Sequence, residues 1–271
     1  MILAGIAIGV LNGTIVAKLK VPPFIVTLAG LTAYRGLAMA LTGAANLPVT
    51  NKSFSSALGS GSISANLVMV ILGLGALVSI YVFLRNIKKT TVKKLYSVAV
   101  LALSLAGLGY LAYLVNSVGA LSIQIVLYAV VLLATYILLN KTIFGRHIYA
   151  VGDNSVAAKM AGINVDRTLI KIYSFGGFCA AFTGILMAAK LQSGMPSAGV
   201  GGELDAIAAV VIGGTSLSGG TGKLTGTIVG VLLIGVLNNM LSLLNVSTDM
   251  QSILKGVIIL SAVIIDMKFK K

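Results

Sequence analysis

Six carboxylates, one histidine and one cysteine carry most of the reactive chemistry this 271-residue chain could offer, and two of the acids, Glu203 and Asp205, stand two residues apart. Paired acids can serve acid–base catalysis or hold a metal, but only beside a partner base or further ligands. No histidine and no metal-ligand spacing accompanies them, so neither a catalytic nor a metal site is expected. Both acids adjoin the start of an apolar segment at 204–214, where a negative charge suits the positive end of a helix. Capping fits Asp205; the functional alternative for both is hydrogen bonding to a polar solute or an outer partner.

Other polar groups stand inside apolar runs. Arg35 lies in the middle of segment 24–44, where exposure to lipid costs at least ~2.5 kcal/mol on insertion scales, so it is expected to face a bundle interior or a cavity. Asn12 and Tyr34 are further polar candidates. Asn238-Asn239 interrupts segment 225–244 and reads either as glue between helices or as part of a path wall. Lys190 and Lys255, nearer segment ends, read as anchors that reach back to the interface. Cys179 sits in an apolar run as a small packing residue, with no second cysteine to form a disulfide.

The glycine-rich run from Gly213-Gly214 to Gly222-Lys223 invites comparison with a phosphate-binding loop. It does not fit Gly-x-x-x-x-Gly-Lys-[Ser/Thr], because Leu217 stands five before Gly222 and Leu224 follows Lys223. It reads instead as a flexible or close-packed loop between membrane helices, able to touch a partner if it is cytoplasmic.

The elements that must position these groups are membrane helices. The chain is 58% hydrophobic and 10% charged, with a mean hydropathy of +1.04, whereas soluble domains are about 25% charged. Lipid as solvent accounts for that composition. The net charge of +14 comes from lysines and arginines clustered between apolar runs, the pattern of cytoplasmic loops. No basic patch interleaved with aromatics is present, which argues against nucleic acid as a partner.

Nine apolar segments follow: 2–17, 24–44, 67–84, 96–115, 123–139, 172–189, a short 204–214, 225–244 and 253–267. The expectation is an all-α integral membrane protein, a polytopic helical bundle with one short or broken helix and a single transmembrane domain over 1–271. The block Arg85, Lys88, Lys89, Lys93 and Lys94 places 85–95 in the cytoplasm. Alternation then puts Lys18, Lys20, residues 140–171, Lys223 and the tail Lys268, Lys270 and Lys271 on the same side, provided that 204–214 crosses. Residues 46–64, 116–122, 192–203 and 245–251 fall outside, with Lys52 their only basic residue. Met1 then starts outside with no preceding signal, so the chain is expected to be the remainder of a longer protein whose first helices are absent.

The polar stretch 140–171 holds five of the 20 Lys/Arg, two of the six acids and the only histidine. Phe144-Gly145-Arg146-His147 is expected to end the preceding span, and Gly152-Asp153-Asn154 supplies turn chemistry. Asp153, Asn154 or Ser155 can cap a short helix over 155–161, with Ala157, Ala158 and Ala161 as a small face, Lys159 beside them, and Gly162 as the stop. Such a helix lying under the membrane can seat in a cleft of a soluble partner; the plain alternative is a solvated loop on headgroups.

Several motifs together resemble one family. Val21-Pro22-Pro23-Phe24-Ile25-Val26-Thr27-Leu28-Ala29-Gly30, preceded by Leu11-Asn12-Gly13, is similar to the permease subunits of carbohydrate ABC importers. So are Phe144-Gly145-Arg146-His147-Ile148-Tyr149-Ala150-Val151-Gly152, Glu203-Leu204-Asp205-Ala206-Ile207-Ala208-Ala209 and residues 212–220. Gly162-Ile163-Asn164-Val165-Asp166-Arg167, Ser193-Gly194-Met195-Pro196 and the extra basic-flanked segment around 85–115 resemble the xylose and multiple-sugar branch.

The resemblance implies a multi-pass protein of the bacterial cytoplasmic membrane in which two permease chains form the translocation path. It implies a cytoplasmic ATP-binding subunit, an extracytoplasmic sugar-binding protein, no cofactor and no enzymatic activity of the chain's own. Asp153, Asn154, Ala157, Ala158, Lys159, Ala161 and Gly162 would form the coupling element, within a cytoplasmic coupling loop at 140–171. Asn12, Arg35, Glu203, Asp205, Asn238 and Asn239 are the candidate path residues. The rivals are an ABC permease for nucleosides, furanose signals, branched amino acids or another small polar solute, a stand-alone secondary transporter or channel, and an inactive fragment. A secondary transporter would need ion-coupling charges inside the membrane, and mid-span acids are nearly absent.

Overall fold

In a hydrocarbon solvent every backbone N–H and C=O must be satisfied within the protein, and helices do this locally. The computed structural model describes residues 1–66 and 119–269 with scattered positions between them, and it is dominated by helices. Segments 67–84 and 96–115 lie largely outside the described residues, and the basic block 85–95 and the last two lysines wholly so.

Four helices among the described residues are long and apolar enough to cross a membrane. They are α2 (Pro23–Thr42), α3 (Ile123–Lys141), α6 (Val165–Leu191) and α8 (Leu224–Leu243). Between and around them lie α1 (Ile2–Lys18), α4 (Ile143–Asp153), α5 (Ser155–Met160), α7 (Gly202–Ile212) and α9 (Thr248–Phe269). The expected short helix is α7, whose 11 residues cover ~16 Å, about half the hydrocarbon thickness.

Helix boundaries follow local chemistry. Pro22 and Pro23 open α2, where a missing N–H costs nothing, and Gly43 closes it at φ 60°. The polar stretch departs from expectation in two places. Phe144-Gly145-Arg146-His147 does not end the preceding span, because Thr142 caps a new helix, its Oγ1 accepting from Gly145 N at 3.1 Å. The following span starts at Val165 rather than 172, because Asn164 Oδ1 accepts from Arg167 N at 2.9 Å and caps α6 earlier.

The contacts divide the chain into two compact units. The first comprises Met1–Pro48, Leu132–Ile185 and Gly194–Lys271. In it, Gly5, Gly9 and Gly13 form one face of α1 that meets Ile170, Tyr173, Ser174, Gly177 and Ala181 of α6. Spacing of four keeps these glycines aligned, so the two backbones approach directly. A second contact joins α7 to α8 through buried Ala208, Ala209 and Ile234. Much of the remaining apolar surface is exposed, including Leu28 at 52%, Leu232 at 63% and Val257 at 58%. Water would not tolerate so continuous an apolar surface, whereas lipid covers it.

The second unit comprises Val49–Val131 and Leu186–Ser193. Asn51 caps a single turn (Lys52–Phe54) that runs into a π-helical turn (Ser55–Gly59). Strands β1 (Ser62–Ser64) and β2 (Ala120–Ser122) pair antiparallel with Ile63 opposite Leu121. Gln124 Nε2 donates to Leu58 O at 3.1 Å and Leu186 O at 3.4 Å, tying the turn to the helices.

The α1–α6 crossing yields a stability test. A Cβ at Gly9 would run into the Tyr173 carbonyl oxygen and lie 2.9 Å from Ser174 Cα, whereas one at Gly36 meets nothing within 4 Å. Gly9→Leu is expected to destabilise the detergent-solubilised protein by about 1–3 kcal/mol. Gly36→Ala should be neutral or gain up to about 1 kcal/mol, and thermal unfolding of the two variants side by side checks both.

Candidate functional site: a polar line across five helices and a capped short helix

Polar groups from five helices of the first unit meet in pairs. Tyr34 Oη donates to Asn12 Oδ1 at 2.8 Å, joining α2 to α1. On the next residue of α2, Arg35 Nη2 stands 3.9 Å from Glu203 Oε1 in the first turn of α7. Two residues on, Asp205 accepts from Asn238 Nδ2 of α8 at 3.0 Å. Lys255 Nζ of α9 lies 2.9 Å from Asp205 Oδ1 and 3.1 Å from Oδ2.

These distances differ in consequence. The Arg35 and Glu203 side chains are 30% and 36% exposed and their contact is long, so the pair is weak. Lys255 and Asp205 are 18% and 27% exposed at a short distance, and each relieves the other's desolvation. Asn238 Oδ1 is buried without a donor among the described residues. The line carries two bases and two acids, so its polar groups sum to no net charge.

Five of the six candidate path residues are thus drawn into contacts, while Asn239 is exposed on α8 and joins none of them. Two sequence expectations change. Asp205 does not cap α7: Gly201, with φ 83°, holds that position without a side-chain cap, and the carboxylate turns to Asn238 and Lys255 instead. Lys255 is not an interfacial anchor, because that carboxylate lies within reach on a neighbouring helix. Its only sequence signal was a lysine seven residues inside a long helix.

On the polar stretch 140–171, Asn154 is the cap among the three candidates. Its Oδ1 accepts from Val156 N and Ala157 N, each at 3.0 Å, and Asp153 closes the preceding helix. Gly162 stops α5 at φ 84°, where glycine alone is relaxed, and Ile163 N returns to Ala158 O at 3.0 Å. Asn154, Ala157, Lys159, Ala161 and Gly162 are exposed. Ala158 instead points inward at 5% exposure. The outward apolar groups are Val156 at 68% and Met160 at 86%, four residues apart on one face. The sequence reading passed over both in favour of the alanines. His147 is half-buried within α4, and no group of three or more potential metal ligands occurs among the described residues.

The 213–223 run connects α7 and α8 as a loop without nucleotide-binding form. Gly214, Gly219 and Gly220 adopt positive φ. A cavity of about 420 Å³ lies against it, lined by Tyr149, Leu169, Ile172, Val210 and Lys223 among others.

Residues 1–263 match the family described as branched-chain amino acid transport system / permease component. The chain belongs to that family. It is 40% identical to the xylose transport system permease protein of Haemophilus influenzae over 98% of this chain and 72% of the relative. The xylose transport system permease protein of Escherichia coli K12 is 36% identical over 98% of this chain and 69% of the relative. The ribose import permease protein of Bacillus subtilis is 38% identical over 95% of this chain and 63% of its own length. No solved structure matches the chain. The resemblance to carbohydrate ABC permeases is borne out, and with it a multi-pass protein of the cytoplasmic membrane. Permease components of this kind are not themselves enzymes, and membership implies ATP-binding and substrate-binding partners.

For this permease the Lys255–Asp205 pair gives a direct test. Lys255→Met alone leaves the largely buried Asp205 carboxylate without its counter-charge and is expected to cost about 3 kcal/mol, and combining it with Asp205→Leu should recover most of that loss. Unfolding of the single and double variants in detergent measures the difference.

Proposed function

We propose that this permease is the membrane subunit of an ATP-driven monosaccharide importer whose cargo is xylose or a related aldopentose. The observation that carries this reading is the match along 98% of the chain to xylose permeases, reinforced by the ribose permease relative. Xylose and ribose are both five-carbon aldoses, neutral and rich in hydroxyls. A line of carboxylate, carboxamide, ammonium and phenol groups with balanced charge suits such a solute. Its donors and acceptors exchange with sugar hydroxyls one at a time, and weak multiple contacts allow release. Asn12, Arg35, Glu203, Asp205 and Asn238 are the proposed path groups, with Asn239 beside them, and Lys255 joins them as the counter-charge of Asp205.

In this reading residues 1–271 form one permease domain, and 140–171 is its cytoplasmic coupling loop. The capped helix α5 seats in a cleft of an ATP-binding subunit, which hydrolyses the ATP. Asn154 holds the helix start, Gly162 ends it, and Val156, Ala157 and Met160 offer an apolar contact flanked by Lys159. A second copy of the permease completes the path, and an extracytoplasmic binding protein selects and delivers the sugar. Nucleotide binding in the partner moves α5, and the helices around the polar line tilt to expose the path to alternate sides.

Two measurements test the reading. Uptake of labelled xylose, ribose and leucine by the importer reconstituted with its binding protein should rank the pentoses far above leucine. Leucine uptake at the pentose rate would overturn the cargo assignment. Deletion of residues 154–162 should leave membrane insertion intact while uncoupling ATP hydrolysis from uptake, and normal uptake after the deletion would sink the coupling role.

A further inference from the structure

The glycine loop 213–223 departs from the phosphate-loop pattern, yet it is clamped against the 140–171 stretch. Tyr149 Oη of α4 donates to Gly222 O at 3.2 Å. A Cβ added to Gly152 would lie 2.9 Å from Gly220 N, and one added to Gly219 would run into the Gly152 carbonyl oxygen. A Cβ at Gly220 would lie 2.8 Å from Asp153 Oδ1. Backbone therefore meets backbone at the last turn of α4, one residue before the cap of α5. At Gly152 the two backbones touch with no side chain between them to absorb a displacement, while beside it the Asp153 side chain meets Gly220.

The other side of the loop is joined as closely to the transmembrane helices. A Cβ at Gly213 would lie 2.6 Å from the Gly226 carbonyl group, and one at Gly230 would run into the Ala209 carbonyl oxygen. These contacts key α7 to α8. From Gly213 the single helix α7 runs back to Asp205, whose partners are on α8 and α9. Three glycines at φ of 80°, 89° and 75° (Gly214, Gly219 and Gly220) give the loop a shape that side-chain-bearing residues rarely adopt. The adjoining cavity of about 420 Å³ gives the loop room for a second position.

We infer that the glycine loop is the lever between the two halves of the mechanism. A displacement of α5 passes through α4 to the loop at Gly152 and Tyr149, then along α7 to the Asp205–Lys255 pair. Tyr149 and Gly152 are positioning residues for transport, touching neither the sugar nor the ATP-binding subunit. The inference rests on the reading of α5 as the docking helix. It supplies the contiguous packed element that coupling between distant sites requires, and the proposal assigns that element a second arrangement on the side of the cavity.

The test uses the complete importer in liposomes, with its ATP-binding subunit and sugar-loaded binding protein. In Tyr149→Phe and Gly152→Val the ATP-binding subunit should co-purify at the parent yield, while sugar moved per ATP hydrolysed falls by at least about threefold. Gly152→Val should be the more severe, because its side chain pushes the loop away. Tyr149→Phe, which removes one hydroxyl, keeps the test valid if the glycine variant does not fold. An unchanged sugar-to-ATP ratio in Tyr149→Phe and in any folded Gly152→Val protein overturns the lever, as does loss of the ATP-binding subunit from either variant. Met160→Asp on α5 tests the docking reading separately, since it should release the ATP-binding subunit. If Met160→Asp retains the subunit, the docking reading falls and α5 is lost as the input of the lever, whereas release of the subunit by Met160→Asp together with an unchanged ratio in the loop variants overturns the lever alone.

Discussion

A hydrocarbon surrounding offers no hydrogen-bond partner, and each element of this permease answers to that constraint. Backbone groups are satisfied within helices, so the first unit is built from them. Without a strong hydrophobic drive between helices in lipid, association depends on close packing. Gly5, Gly9 and Gly13 supply it between α1 and α6, and Gly226 and Gly230 supply it between α7 and α8. Polar side chains obey the same rule: Asn12 with Tyr34, Arg35 with Glu203, and Asp205 with Asn238 and Lys255 meet one another across helices.

The same constraint makes the polar line the feature to which the proposed function assigns the path. A stable bundle could be made more simply with apolar side chains, since buried ion pairs seldom improve on well-packed hydrophobic ones. Under the proposed function, two ion pairs and two carboxamides among membrane helices serve the passage of a polar solute. Balanced charge suits a neutral cargo, because no uncompensated field traps or repels ions.

The polar stretch 140–171 is built on a different principle. Its elements are short and capped by side chains, with Thr142, Asn154 and Asn164 opening three successive helices. Outside the hydrocarbon such caps compete with water and still define where each helix starts. The resulting platform presents Val156 and Met160 outward and joins the membrane helices through the glycine loop. In the proposed function, the rigid contact on one side and the exposed apolar groups on the other connect a soluble partner to the path.

Composition, charge alternation and glycine and proline punctuation were enough to specify an all-α membrane bundle, the short helix at α7 and a capped helix ended by Gly162. These features are local: hydropathy, cap chemistry and positive φ depend on residues close in sequence. The family motifs were legible for the same reason. Pairings between distant residues were not. That Lys255 meets Asp205 instead of the interface, that Asp205 leaves the cap to Gly201, and that Gly152 abuts Gly220 were decided only when separate helices packed. The inward turn of Ala158, which leaves Val156 and Met160 outside, was decided the same way, because a helix face has no inside until a neighbour covers it.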